Sequence, residues 1–364
     1  MLPLALATAL ENLIIESDVE KVQNLKDEGK DISKVTWENG ENALHVAAKW
    51  AKTREIIDVI QENGKFNING VDNKGYTPLH YALLGTNPTI DHEGAVHNKD
   101  IDLFDLFLKP EKVDIIIDKS ERTTRLMNER NESNLTTTRY LIEKGADPNI
   151  AIKGWTPFLL AAKYAKDINI FRLFLVNNTV DVNCINNNGY NALLTVCQDY
   201  NEENLIDIVR LLIEKNIDVH CKTDGGSNAL TFLCQFYKQE NLIDIVRLLI
   251  EKNIDVNCKQ NDGWNALHTV CRYYDKENLI DIVRLLIEKN IDVNCKQNDG
   301  WNALHLVCYY YSKSRLVDLV RLLVQYKIDK KVKTTGGEIG TSRSFLLKRF
   351  KEEEVKDVLQ ILDS

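Results

Sequence analysis

Hydrophobic and polar positions follow a helical rhythm in this chain. In the segment 263–299, apolar residues recur three and four positions apart from Asn265 to Tyr274 and again from Leu279 to Ile287. This spacing is typical of α-helices that bury one face. A polar stretch, residues 275–278, separates the two patterns. We therefore predict a short first helix, a polar break and a more hydrophobic second helix.

This pattern returns at a fixed interval. Segment 241–268 recurs letter for letter at 278–305, and a looser copy of its first part occupies 204–219. The glycines that open successive copies are each 37 residues apart, at Gly189, Gly226, Gly263 and Gly300. A constant period between ~20 and ~50 residues indicates a repeat architecture. Neither helix of one unit can bury its apolar face alone, so the units are expected to stack.

The connector between units carries turn residues. Asn290 follows the second helix, and asparagine tolerates the left-handed backbone conformation of a helix exit. The sequence Asn298-Asp299-Gly300 then supplies residues suited to a turn with positive φ.

Short motifs in the repeats resemble those of the ankyrin repeat family. The motif GYTPLH begins at Gly75 and GWTPFL at Gly154, while GWNALH begins at both Gly263 and Gly300. The resemblance implies an all-α solenoid of helix-turn-helix units joined by hairpin-like loops. The family unit has ~33 residues, so we interpret the surplus between Tyr273 and Leu279 as about one extra helical turn.

The register of these motifs divides the chain into five parts. We predict an N-terminal capping repeat at 1–39, regular repeats at 40–84 and a degenerate repeat with an insertion at 85–153. A regular array with a period of 35–37 residues follows at 154–333, and a C-terminal cap occupies 334–364. We expect the polar segment 85–99 to be the most mobile interior part. Long loops on repeat arrays are often functional, and the alternative is a merely tolerated insertion.

Charge and hydropathy narrow the range of partners. The formal net charge of −8 argues against nucleic acid or an anionic membrane as the main partner. No apolar run approaches the ~20 residues that span a bilayer. The apolar start of the chain lacks the basic residues of a signal peptide. We also expect no small-molecule substrate.

The eight cysteines fall into two series with the same period of 37 residues. Disulfides or a metal site are the alternatives, but no CxxC pair is present. In ankyrin repeats these two positions usually hold alanine, and cysteine behaves as a small buried hydrophobe. We predict reduced, mostly buried thiols and a reducing compartment, the cytoplasm.

Catalytic and metal-binding motifs are absent or badly spaced. His92 and His97 are five residues apart, which places them on different faces of a helix rather than at the zinc-protease spacing. The glycine-rich segment 336–340 lacks the lysine of a phosphate loop. The histidines at 45, 80, 268 and 305 occupy the ankyrin Leu-His position, which implies a structural role. We predict no enzyme activity, no cofactor and no metal.

Three asparagines end a recurring motif that resembles the substrate pattern of asparaginyl hydroxylases in ankyrin repeats: Asn183, Asn257 and Asn294. Modification is one interpretation. The other is that each side chain bridges two successive hairpins.

Aromatic residues recur at two positions that the scaffold does not require. In ankyrin folds these positions face partners, and tyrosine and tryptophan are enriched in binding hot spots. The predicted partner-binding residues are Trp155, Tyr190, Phe236, Trp264, Tyr273, Tyr274, Trp301, Tyr309 and Tyr310. The alternative is that the rings fold back and pack against the next repeat.

The resemblance and the aromatic ladder together predict a protein–protein interaction scaffold. The partner protein is expected on the concave, hairpin-tip face. Alternatives are a substrate adaptor of a ubiquitin ligase or another enzyme complex, and an effector from a symbiont, parasite or virus acting in the host cytosol.

Overall fold

The computed structural model describes residues 2–84, 135–165, 167–176, 178–335 and 339–364. Regular structure in these ranges is helical, apart from isolated bridge residues at Thr36 and Asn42, which pair with each other, and at Ile152 and Trp155. The α-helices are α1 (Leu2–Glu16), α2 (Val19–Asp27), α3 (Ala43–Trp50), α4 (Arg54–Gly64), α5 (Pro78–Leu84), α6 (135–143), α7 (Pro157–Tyr164), α8 (Ile168–Leu175), α9 (Ala192–Asp199), α10 (Leu205–Glu214), α11 (Ala229–Phe236), α12 (Leu242–Glu251), α13 (Ala266–Tyr273), α14 (Leu279–Glu288), α15 (Ala303–Tyr310), α16 (Lys313–Gln325), α17 (Ser342–Arg349) and α18 (Lys356–Asp363). Short 3₁₀ turns occur at Ile32–Lys34 and Glu352–Val355. The predicted all-α class is confirmed.

The described residues form two compact units. One lies within Met1–Ile152 and Tyr164–Val180, and the other within Lys153–Lys163 and Asp181–Ser364. In the first unit α1, α3 and α5 pack in series, with α2 and α4 beside them. In the second unit α9, α11, α13, α15 and α17 form one layer, and α10, α12, α14, α16 and α18 form the other. This two-layer stack is that of an ankyrin solenoid. The five-part division inferred from motif register stays a prediction.

The helix pair of the 263–299 repeat forms for local reasons. Asn265 caps α13, because its side chain accepts a hydrogen bond from the His268 amide at 3.0 Å. The apolar face of α13, including Leu267 and Val270, is buried. The second helix buries its own stripe at Leu279, Ile282, Val283 and Leu286. The two helices pack on each other and on their counterparts in neighbouring repeats.

The residues beyond the usual repeat length form a loop. The first helix ends at Tyr273, the second begins at Leu279, and the residues between them are not helical. The prediction of one extra helical turn is therefore wrong. Tyr274 adopts an extended conformation, with φ −108° and ψ 125°, and this ends the helix before the surplus residues.

The exits of the second helices are as expected. Asn216, Asn253 and Asn290 have φ of 61°, 60° and 62°, the left-handed region that asparagine tolerates. At the following turn Gly263 has φ +87°, and a Cβ there would lie 3.0 Å from the Gln297 Cα of the next repeat. This glycine is required both by backbone conformation and by the close approach of the neighbouring hairpin.

The predicted asparagine bridges between hairpins are confirmed. The Asn257 side chain donates to the Asn290 carbonyl at 3.0 Å and accepts from the Asp292 amide at 2.7 Å. Asn183 and Asn294 make the corresponding pairs of bonds in their own repeats. All three residues are exposed, and their modification stays a prediction.

The cysteines are free thiols, and six of the eight are buried. Burial raises the pKa of Cys197, Cys234, Cys271 and Cys308, and the value for Cys234 and Cys308 reaches about 12. The expectation of mostly buried, unpaired thiols is confirmed. The compartment stays a prediction.

Two expectations lie outside the described residues. One is the mobility of segment 85–99, and the other concerns the histidines at 92 and 97. Within the described part of the chain, no helix combines the length and apolar character needed to cross a membrane.

Candidate partner-binding face

Eleven aromatic residues of the second unit fall into three rows. The opening row, next to the opening glycines, contains Trp155, Tyr190, Trp264 and Trp301. The outer row, at the last residue of each first helix, contains Phe236, Tyr273 and Tyr310. The inner row follows one residue later and contains Tyr200, Tyr237, Tyr274 and Tyr311. The three rows differ in burial.

The outer row is exposed to solvent. The relative exposure is 40% for Phe236, 39% for Tyr273 and 38% for Tyr310. Equivalent positions of consecutive repeats hold these side chains, and the helices that carry them pack in series. The fold therefore aligns three large rings along one surface.

The inner row is buried, and the prediction that Tyr274 contacts a partner is wrong. Tyr274 has no solvent exposure. Its hydroxyl donates to the Asn278 side-chain oxygen at 2.8 Å and lies 3.0 Å from the Gln239 carbonyl of the preceding repeat. Burial raises the pKa of Tyr274 to about 12. The packing interpretation holds for this row.

Equivalent hydrogen bonds of the inner-row tyrosine hydroxyls recur along the array. Tyr237 bonds to Asn241 and to the Glu202 carbonyl, at 2.7 and 3.1 Å. The hydroxyl of Tyr311 donates to the Tyr274 carbonyl. Tyr237, Tyr274 and Tyr311 thus each tie their repeat to the one before it. The motif Tyr-x3-Asn begins at 200, 237 and 274. This motif could have predicted the hydrogen bonds between tyrosine hydroxyls and asparagine side chains.

The opening row is half-buried and contributes to packing. Tyr190 stacks on Phe232 of the next repeat, with ring centroids 5.5 Å apart. Trp301 stacks on Phe345 of α17 at 4.7 Å and an interplanar angle of 10°. Trp301 therefore packs against the following unit, as the alternative interpretation of the aromatic positions expects. Trp155 stacks on no aromatic ring within the part of the chain that the structure describes. The Lys163 ammonium lies over its ring, 4.8 Å from the ring centroid.

The structure joins parts of the opening and outer rows into one surface. Trp264 stacks on Tyr273 at 5.8 Å, and Trp301 meets Tyr309 edge-on at 5.5 Å. Tyr309 in turn contacts Tyr310 at 4.7 Å. We call this surface the aromatic face; it consists of Phe236, Trp264, Tyr273, Trp301, Tyr309 and Tyr310.

Cationic side chains border this face, and the sequence analysis missed them. The Arg272 guanidinium carbon lies 3.3 Å from the Tyr310 ring centroid and 5.3 Å from that of Tyr273. Lys238 donates to the carbonyls of Gln235 and Tyr273, at 2.6 and 2.7 Å. Cations are favoured at helix C-termini. That rule, applied to the residues around each first-helix end, could have located them.

The histidines that recur at the Leu-His position are structural. In His268 and His305 the Nδ1 atom accepts a hydrogen bond from the backbone amide of the N-cap asparagine at 3.2 Å. Burial lowers the pKa of both to about 4. A neutral imidazole with an acceptor Nδ1 completes the cap, as the resemblance implied.

No group of three or more potential metal-ligating side chains occurs within the described ranges. The part of the glycine-rich segment at 336–338 is outside those ranges.

A family model described as "Ankyrin repeats" matches the chain in three copies, at residues 10–90, 158–260 and 233–334. Together these segments cover more than half of the sequence. A comparison with curated proteins gave no match.

Proposed function

The chain belongs to the ankyrin repeat family, and on this premise we propose that it is a scaffold that binds a partner protein through its aromatic face. Ankyrin repeats are generally protein–protein interaction modules, and the family is typically non-enzymatic. The proposal assigns that general role to a particular surface of this chain.

The observation that carries the proposal is the exposure of the outer row. Rings of this size are costly to leave in water, since burying one yields ~1.5–3 kcal/mol. Here Phe236, Tyr273 and Tyr310 each keep about two fifths of their surface exposed. Exposed aromatic patches of this kind typically mark interaction sites, and tyrosine and tryptophan dominate binding hot spots.

The rings are held in place before a partner arrives. Tyr273 is the last residue of α13, and the next residue, Tyr274, is anchored by hydrogen bonds to two other segments. Trp264 packs on the Tyr273 ring. Because little side-chain freedom remains to be lost, binding at this face has a small entropic cost.

Tyr190 and Trp155 are placed outside the core of the proposed site. Tyr190 is engaged by Phe232, and Trp155 lies several repeats away along the sequence. We propose for them a contact at the edge of the interface. The roles of adaptor and of host-directed effector stay predictions, as do the absence of catalysis and the cytoplasmic location.

Affinity purification with matched variants tests the proposal. The wild type, a Phe236→Ser/Tyr273→Ser/Tyr310→Ser variant and a Tyr326→Ser control are immobilised and exposed to the same cell extract. Tyr326 is a half-buried tyrosine at the end of α16, in the other helix layer. Proteins retained by wild type and control but lost from the triple variant are expected. Loss of one anchor should weaken binding by ~2 kcal/mol or more.

Circular dichroism first establishes that the three proteins are equally folded. If the triple variant retains the same set of proteins as the wild type, the aromatic face is not the binding site.

A further inference from the structure

A cleft in the aromatic face differs in charge from the chain as a whole. It has a volume of about 530 Å³ and lies between the ends of α13 and α15. The lining includes Arg272, Tyr273, Asp275, Tyr310, Ser312 and Arg315. Two cations therefore face one anion here, whereas the whole chain has a formal net charge of −8.

Arg272 presents donors to this cleft. Its guanidinium stacks on Tyr310 with the central carbon 3.3 Å from the ring centroid. Stacking occupies a face of the planar group and leaves its N–H donors pointing outward in the plane. In the part of the chain that the structure describes, Arg272 forms no hydrogen bond and no ion pair. Its charge and its donors are thus held in place by the rings without being used.

The second arginine has a different role. Arg315 donates to the carbonyl of Asp275 and to that of Lys276, the latter at 3.1 Å. It stands at the position that holds asparagine in the three preceding repeats, Asn204, Asn241 and Asn278. Its donors bind the loop, while its positive charge remains at the cleft. The exposed carboxylate of Asp275 balances one of the two arginine charges. The lining of the cleft therefore has one excess positive charge.

We propose that this cleft binds the carboxylate of an aspartate or glutamate side chain in an extended segment of the partner protein. The proposal rests on the function proposed above and names the chemistry of the partner. Arg272 donates two parallel N–H hydrogen bonds to the carboxylate. The rings of Tyr273 and Tyr310 contact the methylene groups of the aspartate or glutamate side chain. A single negative charge matches the single excess positive charge. A phosphate dianion is less well matched, because it leaves one charge unbalanced beside Asp275.

Peptide selection on the full-length chain tests this proposal. A displayed library of random peptides is selected on the wild type, and binders that depend on Tyr273 and Tyr310 are synthesised with each acidic residue also replaced by its amide. Affinities are measured by fluorescence anisotropy against the wild type, Arg272→Met and Arg284→Met. Arg284 is exposed on α14, so this control loses the same charge away from the cleft.

For the acidic peptides, Arg272→Met is expected to weaken binding by about tenfold or more, the loss typical of a charge-assisted hydrogen bond. Replacing the critical acid by its amide should cause a similar loss, and the two changes together should cost little more than either one. Arg284→Met should have less than a twofold effect. Arg272→Lys, which keeps the charge but not the paired donors, should give an intermediate affinity.

Three outcomes overturn the proposal in distinguishable ways. Peptides that require Tyr273 and Tyr310 but no acid contradict the cleft and leave the proposed function intact. Peptides that bind independently of the aromatic face contradict both. A phosphoserine analogue that binds more tightly than the acidic peptide contradicts the assignment to a carboxylate. Thermal melts of each variant exclude unfolding as the source of a loss.

Discussion

The outer and inner rows contain adjacent residues of the same type with opposite surroundings. Tyr273 and Tyr274 are neighbours in sequence, yet 39% of Tyr273 is exposed and none of Tyr274. The reason is local. The helix ends between them, and the extended backbone of Tyr274 directs its side chain into the space between repeats. One change of backbone conformation separates the exposed row from the buried row.

The buried row also shows how a polar group is tolerated in that core. The Tyr274 hydroxyl bonds to the Asn278 side chain, and the Asn278 amide nitrogen donates to the Glu240 carbonyl at 2.6 Å. Buried polar atoms are favourable only when they are satisfied in this way. Composition alone cannot distinguish the two rows, whereas the hydrogen bonds do.

The largest expected effect is a difference in stability between the two rows. Tyr274→Ala removes a fully buried ring and should lower the free energy of unfolding by ~3–5 kcal/mol. Tyr273→Ala should change it by less than ~1 kcal/mol, since the ring is partly exposed. Urea denaturation followed by circular dichroism measures both. Equal losses would remove the distinction between the rows.

A second prediction sharpens the contrast through pH. Burial lowers the pKa of His268 and His305 to about 4, whereas the unfolded value is ~6.5. The unfolded chain therefore binds more protons between these values. The stability contributed by each neutral histidine is complete above pH ~6.5 and is lost as pH falls towards 4. At pH 5 the free energy of unfolding is lower by about 2 kcal/mol per histidine.

The control uses a residue that the chain itself places at this position. In the 226–262 repeat the corresponding residue is Thr231, which forms a capping box with Asn228. His268→Thr should reduce the stability lost between pH 7 and pH 5 by about 2 kcal/mol. An unchanged pH dependence would mean that His268 is not responsible. The outer row contains no histidine and should not contribute to the pH dependence of stability.

The smallest effect concerns two tryptophans in identical sequence surroundings. Trp301 stacks on Phe345, while Trp264 stacks on Tyr273 of its own repeat. We expect Trp301→Ala to lower the free energy of unfolding by ~1 kcal/mol more than Trp264→Ala. The Phe345 ring stacked on Trp301 is fully buried, whereas the Tyr273 ring stacked on Trp264 is 39% exposed, and an aromatic pair is worth ~0.5–1.5 kcal/mol beyond its buried area. A double-mutant cycle with Phe345→Leu should assign this difference to the pair. If both variants lose the same unfolding free energy, the stacking of Trp301 on Phe345 adds no extra stability.

Much of the fold and part of the site could be predicted from the sequence. The helix pairs, the left-handed exit at Asn290 and the bridging role of Asn257 follow from local rules or from the family resemblance. Tyr273 is exposed, and its contact with a partner stays a prediction. The burial of Tyr274 was not predicted, because a ladder of adjacent aromatic residues does not indicate where the helix ends. Arg272 was missed because its closest ring contact is with Tyr310, a residue of the next repeat, and the sequence does not show that the two side chains meet.

The sequence by itself determined the repeat, its period and its helix pairs, because these depend on interactions within a few residues or on the exact recurrence of segment 241–268 at 278–305. Only the tertiary structure decided which rings are exposed and what each contacts. Trp264 and Trp301 stand in the same local sequence, yet Trp301 stacks on Phe345 of the following unit and Trp264 stacks on Tyr273 of its own repeat, because the units that follow them are not alike. A side chain's burial is set by whatever packs against it, and in a stacked array that partner lies one repeat away.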